Sequence, residues 1–512
     1  MSLAPARTGG SLLTKDAPRI AIRVVLQPDG IRPRDLVFLL LLTLAGILIH
    51  GYRVGVEDQA IYLPSIKKNL DPDLFPSDSQ FFLSQTKWSV FDELVALSAR
   101  VLPVPLNAVI FLWHIGGVFL LLLACLRLMR LCFDSAAAQW AGVALVVSLL
   151  TLPIAGTLAL MVDQYLHPRV LATAAAVFAL VGILEGSPWS LVWLAFGAAI
   201  HPQVTFFAAC HLLFLWWRKP IPASIALSAG PMLPPTEVSI NAWKEVMLTR
   251  RHHFPLQWTW YEWLGAYGPV VILFWFWRLA RKTGNDLAAH ISSRLVISCS
   301  MGIAGAVMMN VVPALNRFMP AQPMRQLHLV YLLMILLAGG FLGEMFLHSF
   351  TRRRAWRWAV VFVPLCAILF AGQQQLFAGS RHLELPGLRP RNEWLAAFEW
   401  IRLNTPKDAL FALDPRYMEQ PGEDFHGFRA LAERSMLADY TKDRGVAAIF
   451  PSLAEEWKRQ VDARAGWKNF DRQDFRNLRS EFGVTWTVLP AANATGLACP
   501  YANPTVKVCK VD

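Results

Sequence analysis

Two adjacent carboxylates, Glu57 and Asp58, are the first residues of this 512-residue chain whose types suggest chemistry. They follow the apolar run 36–50 and precede an amphipathic run at 60–70. A carboxylate beside an apolar segment is costly to desolvate unless it has a partner or a task, and one task is to take a proton from a hydroxyl group as general base. The structural alternative is that Asp58 caps the N-terminus of a helix. The sequence leaves both interpretations open.

A second set of reactive side chains lies within seven residues, at Asp163, His167 and Arg169. It combines a carboxylate, a proton-transfer group and an anion-binding group. His167 precedes Pro168, so ordinary helix-start chemistry is the alternative. His201 also precedes a proline, and we expect it either to act directly or to serve as a backbone partner where a helix is interrupted.

Basic side chains are concentrated in two later stretches, which contain Arg250, Arg251, His252 and His253, and then Arg317 and Arg325. Guanidinium groups bind phosphate oxygens in pairs of parallel hydrogen bonds, so a phosphate or pyrophosphate ligand is the functional interpretation. The alternative is contact with lipid headgroups beside a belt of interfacial aromatic residues.

No local motif identifies a metal or nucleotide site. The seven cysteines include no CxxC pair and no Cys/His cluster, and the chain lacks P-loop, GxGxxG and GxSxG patterns. Cys499 and Cys509 stand in the polar tail, where a disulfide is expected only if the tail faces an oxidising compartment.

Membrane helices are the elements that must position these groups. Hydrophobic residues make up 55% of the chain and charged residues only 16%, which excludes a disordered chain and an ordinary soluble globule. The stretch 188–218 is interrupted at His201, which predicts two short helices that enter the membrane and return. These two helices and the nine other apolar runs give about 11 expected membrane crossings. The remaining apolar runs lie at about 36–50, 104–126, 136–156, 169–184, 221–236, 265–280, 295–313, 327–347 and 356–373.

The distribution of Lys and Arg predicts the orientation. If the N-terminus is cytoplasmic, the inner segments hold 18 basic residues and seven acidic ones, so the net charge of +12 is mainly a topology signal and requires no nucleic-acid partner. We therefore expect a multi-pass inner (plasma) membrane protein with a cytoplasmic N-terminal segment 1–34 and a transmembrane domain 35–384. The outer loops are then 51–103, 157–168, 237–264 and 314–326, and they contain every candidate side chain named above except Arg169, which directly follows the second loop, and His201.

The C-terminal part, residues 385–512, is predicted to be a small extracytoplasmic α/β domain. It holds 18 Lys/Arg and 17 Asp/Glu in 128 residues, about twice the charge density of the preceding chain. The patterns predict helices at 391–403 and 453–463, strands at 409–413 and 482–489, and an edge strand at 505–511. Arg416, Arg429 and Arg434 are expected to lie on its solvated surface.

Together these features suit a transfer reaction at the outer membrane surface. A carboxylate would deprotonate an acceptor hydroxyl, and cationic groups would stabilise the charge growing on a departing phosphate.

With these features the chain resembles the GT-C superfamily of membrane glycosyltransferases, which use polyprenyl-phosphate-linked sugars. The resemblance covers nearly the whole chain: a first outer loop that opens with Glu57-Asp58, a second that carries Asp163, about 11 crossings and an outer C-terminal domain. The chain is also similar to uncharacterised bacterial multi-pass proteins that share the opening Glu-Asp-Gln-Ala-Ile-Tyr-Leu-Pro.

The resemblance implies roles for particular residues. Asp58 or Glu57 matches the family's catalytic first-loop carboxylate, and Asp163 matches a second-loop acid used for metal binding or acceptor positioning. The implied partners are a polyprenyl-phosphate-linked sugar, membrane lipid and an acceptor that the sequence does not identify. A divalent metal stays open as a cofactor, although the second loop has no DxD motif. The implied enzyme is a hexosyl- or pentosyltransferase.

Two other functions compete with this one. A transporter or flippase of a lipid-linked or anionic solute would usually show internal repeats and charges at mid-membrane depth, and neither feature is evident here. A non-catalytic membrane assembly scaffold would place no demand on Glu57 and Asp58.

Overall fold

The computed structural model describes residues 31–217, 240–347, 355–493 and 495–512. The predicted span 221–236 and nearly all of the basic segment 1–34 lie outside these residues. Up to Leu376 the described residues form fourteen α-helices. In chain order they are α1 Pro33–His50, α2 Gln59–Leu70, α3 Gln80–Thr86, α4 Phe91–Val101, α5 Leu106–Cys132, α6 Ala136–Ser148, α7 Pro168–Glu185, α8 Trp189–Ile200, α9 Pro202–Trp216, α10 Ile240–Leu248, α11 Trp260–Thr283, α12 Asp286–Val311, α13 Leu327–Leu342 and α14 Ala355–Leu376.

The chain is a multi-pass membrane protein. Within the described ranges, seven helices are long and apolar enough to cross a membrane: α1, α5, α7, α11, α12, α13 with its flanking turns, and α14. Their outer surfaces carry large apolar side chains, such as Trp260, Val271 and Trp275 of α11. A soluble protein rarely leaves such a continuous apolar surface in water. The apolar helices α6, α8 and α9 are shorter.

The predicted interruption at His201 is confirmed, since α8 ends at Ile200 and α9 begins at Pro202. One predicted run differs. The run at 136–156 is helical only to Ser148 and then turns into a short antiparallel hairpin of β1 Pro153–Ile154 and β2 Ala159–Leu160. The hairpin turn needs Gly156, which has φ 69° and lies so close to Trp258 that a Cβ atom would be 2.5 Å from its ring.

The first long loop, residues 51–103, contains three helices, α2, α3 and α4. The first eight residues of α2, Gln59–Ile66, are all buried, so this helix is enclosed by protein. The C-terminal part covers it so closely that a Cβ atom on Gly427 would be 2.4 Å from Ala60 Cβ.

The C-terminal part is a small α/β unit around a five-stranded sheet. Its helices are α15 Glu393–Asn404, α16 Phe428–Ala432, α17 Asp443–Ile449, α18 Ala454–Asp462 and α19 Arg472–Phe482. Its strands are β3 Leu410–Ala412, β4 Ser435–Met436, β5 Trp486–Pro490, β6 Tyr501–Ala502 and β7 Val506–Lys510, in the order β4-β3-β5-β7-β6. The predicted helices and the strand at 409–413 are confirmed, and of the strand predicted at 482–489 only the part from Trp486 onwards is a strand, because α19 extends to Phe482. The prediction of an edge strand at 505–511 is wrong, because β7 pairs on both sides, with β5 and β6.

Two further details of the C-terminal part concern individual residues. Cys499 and Cys509 form a disulfide bond. The expectation of solvated arginines holds only for Arg416, because Arg429 and Arg434 are both only 4% exposed. Arg434 instead donates to the carbonyl oxygens of neighbouring loop residues.

Backbone hydrogen bonds join the segment just after α1 to the C-terminal part. Glu57 N donates to the carbonyl oxygen of Phe425, and Gly427 N donates to that of Gly55. Glu57 has φ 51°, a left-handed conformation that is unusual for a residue with a side chain and turns the chain into α2. This double anchoring holds the Glu57–Asp58 pair against the C-terminal part.

Candidate functional site

Asp58 lies in the N-cap position of α2, but its side chain does not bond the helix backbone. Its Oδ2 atom is 3.3 Å from both His167 Nε2 and Arg169 Nη2, and its Oδ1 atom is 3.0 Å from Lys442 Nζ. Its backbone N–H donates to the Tyr165 hydroxyl over 3.3 Å. The helix-cap interpretation is therefore wrong for this carboxylate, which instead faces three nitrogen groups from two distant parts of the chain.

These neighbours keep the Asp58 carboxyl ionised. Burial by itself would raise its pKa, but Lys442 above all, with His167 and Arg169, holds the pKa of Asp58 well below its usual range. The side chain is nevertheless 28% exposed. Glu57 shares the same partner, since Lys442 Nζ also donates to Glu57 Oε2, and its side chain is 37% exposed. Both carboxylates thus form ion pairs with Lys442, and both remain accessible to a ligand.

The loop 157–168 and the start of α7 supply the groups behind Asp58. His167 caps α7 by accepting a hydrogen bond at Nδ1 from Arg169 N over 3.0 Å, which leaves its Nε2 to donate towards Asp58. Burial, then the charge of Arg169, lowers the pKa of His167, so its ring is neutral. Asp163 lies 3.7 Å from Arg169 Nη1 and 3.9 Å from His167 Nδ1. The helix-start interpretation of His167-Pro168 is therefore confirmed, and the same side chain also contacts Asp58. We call Glu57, Asp58, Asp163, His167 and Arg169 the carboxylate cluster.

The break between α8 and α9 packs against this cluster. His201 caps α9 by accepting from Val204 N at Nδ1, and its ring stacks on that of His167 with centroids 5.7 Å apart. Next to it, Gln203 accepts a hydrogen bond from Arg325 Nη1 over 3.3 Å. The break thus supports His167 from behind and brings Arg325 close to the cluster.

Arg250 approaches from the segment after α10. It donates through Nη1 to the Thr441 carbonyl oxygen over 3.3 Å, and its Nη2 is 3.4 Å from His252 Nε2. Burial, with the charges of Arg444 and Arg325, lowers the pKa of Arg250 to about 9. Burial and the charge of Arg250 also lower the pKa values of His252 and His253, so both rings are neutral. The positive charge at this place therefore comes from arginines and not from the histidines.

Two candidate arginines stand apart from this group. Arg251 is 52% exposed and pairs with Glu262 at 2.9 Å. Arg317 is exposed and lies over the ring of its neighbour Phe318. The structure does not bring either side chain to the carboxylate cluster.

Lys442 and Arg444 of the C-terminal part belong to the site, and the sequence patterns did not identify them. Both stand in the segment 439–444, whose alternating charges look like any solvated loop. A buried ionic network fixes this segment, because Arg429 donates to both oxygens of Asp443 at 3.0 and 2.9 Å and also pairs with Asp78 of the first loop. Only the tertiary structure reveals that Lys442 contacts Glu57 and Asp58 and that Arg444 lies near Arg250.

Several guanidinium N–H groups at this place have no acceptor among the described residues. The Nε atoms of Arg250, Arg325 and Arg444 are buried without a hydrogen-bond partner, and so are Nε and Nη1 of Arg169. A buried donor without an acceptor costs free energy, and a phosphate offers several oxygens that would satisfy such donors. We call Arg250, Arg325 and Arg444 the arginine group.

The residues present do not fit a resident metal ion. The described parts of the chain contain no group of three or more His, Cys, Asp or Glu residues that could hold one. In addition, the ammonium group of Lys442 lies between the two first-loop carboxylates. We derive no step through a metal.

Comparisons with known proteins assign no family to the chain. No curated protein matches it. A family model described as a domain of unknown function (DUF6798) matches residues 392–463 of the C-terminal part. Among solved structures, the archaeal oligosaccharyltransferase AglB from Archaeoglobus fulgidus, in complex with an inhibitory peptide and a dolichol-phosphate, aligns with 89% of this chain and 69% of its own. The identity is 11% and the TM-score is 0.45, so no argument about mechanism rests on that alignment.

Proposed function

We propose that this protein is a glycosyltransferase that moves a sugar from a polyprenyl-phosphate donor to an acceptor at the extracytoplasmic face of the membrane. The observation that carries the proposal is the meeting of an ionised, reachable carboxylate with arginines whose buried donors lack acceptors. The carboxylate can take the proton of an acceptor hydroxyl, and the arginines can stabilise the negative charge of a departing phosphate. The adjoining apolar helices suit the hydrocarbon chain of a lipid donor.

In the proposed reaction Asp58 accepts the proton of the acceptor hydroxyl. The hydroxyl oxygen then forms a bond to the anomeric carbon of the donor sugar, and the bond between that carbon and the phosphate oxygen breaks. The polyprenyl phosphate leaves with the electron pair, and the arginine group stabilises its added negative charge. Attack from the side opposite the leaving group inverts the anomeric configuration. His167 and Arg169 would hold Asp58 in place.

The side of the membrane is part of the proposal and rests on the Lys/Arg distribution. We expect reporter fusions after Lys282 and after Arg357 to report a cytoplasmic position and a fusion after Pro390 to report an extracytoplasmic one. The measurement is a matched pair of reporters, each active on only one side of the membrane. A cytoplasmic Pro390 fusion would place the carboxylate cluster on the wrong face and contradict the proposal.

The reaction itself predicts release of free polyprenyl phosphate. Purified protein supplied with a pool of polyprenyl-phosphate-linked sugars and candidate acceptors should convert the donor into glycosylated acceptor and polyprenyl phosphate, as measured by mass spectrometry. If liposomes containing the protein moved the lipid-linked sugar across the bilayer without consuming it, the protein would be a transporter. If the donor were neither bound, consumed nor moved, the scaffold interpretation would replace this one.

A further inference from the structure

Lys442 is a residue of the C-terminal part that contacts both Glu57 and Asp58. Its Nζ donates to Glu57 Oε2 and, over 3.0 Å, to Asp58 Oδ1. Its side chain is 12% exposed, whereas those of Glu57 and Asp58 are 37% and 28% exposed. An ion pair this enclosed is screened less by water than a surface pair, so it strongly affects how the two carboxylates behave.

The same short segment also touches the arginine group. The carbonyl oxygen of Thr441, directly before Lys442, accepts a hydrogen bond from Arg250. Arg444, two residues after Lys442, is close enough for its charge to act on Arg250, and Gly445 packs against the Arg250 guanidinium. Lys442 therefore stands, along the chain, between two contacts with the group proposed to bind phosphate.

Hydrogen bonds hold the backbone of this segment in place. The Asp439 carboxylate accepts hydrogen bonds from the backbone N–H groups of Thr441 and Lys442, and Trp457 donates to the Asp439 carbonyl oxygen. A lysine ammonium group on four rotatable bonds can change partners without any movement of this backbone.

We propose that Lys442 is a donor-responsive positioning residue that exchanges its ion pairs with Glu57 and Asp58 for the phosphate of the polyprenyl donor. The inference rests on the proposed function. A phosphate held by the arginine group offers Lys442 another anionic partner, with one negative charge in the donor and up to two once the sugar has left, and the exchange releases Asp58 from its strongest neutralising neighbour. No covalent step is involved, because the ammonium group keeps its protons and changes only its hydrogen-bond acceptors.

The exchange would also solve a difficulty for general-base catalysis. A carboxylate whose pKa lies far below neutral is a weak base. Among the neighbours of Asp58, Lys442 contributes most to lowering its pKa. Its departure raises that pKa towards the useful range. The groups that stay around Asp58 are Glu57, Tyr62, Asp163, Tyr165, His167 and Arg169, with the more distant charges of Arg250 and Arg325.

Binding of undecaprenyl phosphate to the full chain in detergent tests the exchange. Lys442→Met should weaken this binding about tenfold or more, because a hydrogen bond between charged groups is lost. Lys442→Arg should restore most of the affinity, and the uncharged undecaprenol should bind both variants like the wild type. Lys407→Met is the matched control, since Lys407 also joins the C-terminal part to a first-loop carboxylate, Asp71, but is 57% exposed and outside the site.

A double-variant comparison separates exchange from a merely structural role. If Glu57 and Asp58 compete with phosphate for Lys442, Glu57→Gln with Asp58→Asn should raise the affinity for undecaprenyl phosphate several-fold. The same pair of changes in a Lys442→Met background should give no such gain. Unchanged binding by Lys442→Met, or a gain that persists without Lys442, would overturn the inference.

The design distinguishes this inference from the function on which it rests. If wild-type protein fails to bind undecaprenyl phosphate, the proposed function fails and the exchange fails with it. If inorganic phosphate binds as tightly as the lipid phosphate and responds to Lys442→Met, the lipid donor is contradicted while the phosphate exchange stands. If the lipid phosphate binds equally well with and without Lys442, only the exchange is wrong.

Discussion

Asp58→Asn is expected to lower the rate of sugar transfer by about 10²–10⁴-fold, the usual cost of removing a general base, while the variant still binds polyprenyl phosphate. The amide keeps the shape of the side chain but cannot take the acceptor proton. Asp58 is a better candidate than Glu57 because His167, Arg169 and Lys442 all contact its carboxylate and fix its direction. The measurement is transfer from a polyprenyl-phosphate sugar pool, alongside a binding assay with undecaprenyl phosphate.

Two control variants make this result specific. Glu57→Gln should have a smaller effect, because Glu57 lies at the edge of the carboxylate cluster with a more exposed side chain. Asp71→Asn removes another first-loop carboxylate, whose partner Lys407 is on the surface, and should leave transfer close to the wild-type rate. Near-normal transfer by the combined Glu57→Gln and Asp58→Asn variant would contradict the catalytic assignment.

Arg250→Ala and Arg325→Ala are expected to weaken donor binding, each by about 10–100-fold, since each removes charged hydrogen bonds to the phosphate. The buried Nε atoms of both residues have no protein acceptor among the described residues, so the ligand phosphate is the partner assigned to them. Because the two side chains share one anion, the loss in the double variant should differ from the sum of the single losses. The measurement is the dissociation constant for undecaprenyl phosphate.

The chain offers controls for these arginines on the same two segments. Arg251→Ala and Arg317→Ala remove guanidinium groups that are exposed and point to Glu262 and Phe318. Both variants should bind the lipid phosphate like the wild type, and equal losses for all four substitutions would indicate a general surface attraction instead of a defined phosphate site.

Much of the architecture was predictable because apolar length is a local property. The runs at 36–50, 169–184 and 327–347 fall within observed helices, and the break at His201 occurs where the His-Pro pair predicted it. The short apolar run at 409–413 and the strand pattern at 482–489 also located β3 and β5 of the C-terminal part. The place of β7 inside the sheet was not predictable, because an edge strand and an inner strand can have the same short pattern.

Part of the candidate site was predictable from the sequence of the first two long loops. Asp58, Asp163, His167 and Arg169 were singled out by type and spacing, and the structure brings all four together. Their grouping was foreseeable because each stands next to an apolar helix end, and helix ends meet at the same membrane face. The cluster of Arg250, Arg251, His252 and His253 looked uniform in sequence, yet only Arg250 enters the site as a charged group.

What the sequence determined by itself is thus the presence of several membrane helices, the α/β character of the C-terminal part and the polar groups near the helix ends. These follow from the cost of placing unpaired polar groups in hydrocarbon, which any stretch of chain reveals locally. The tertiary structure alone decided that Lys442 and Arg444 join the site and that Asp58 is paired instead of capping its helix. Those outcomes depend on contacts between residues 384 positions apart. The charge pattern of either segment does not indicate which distant segment it contacts.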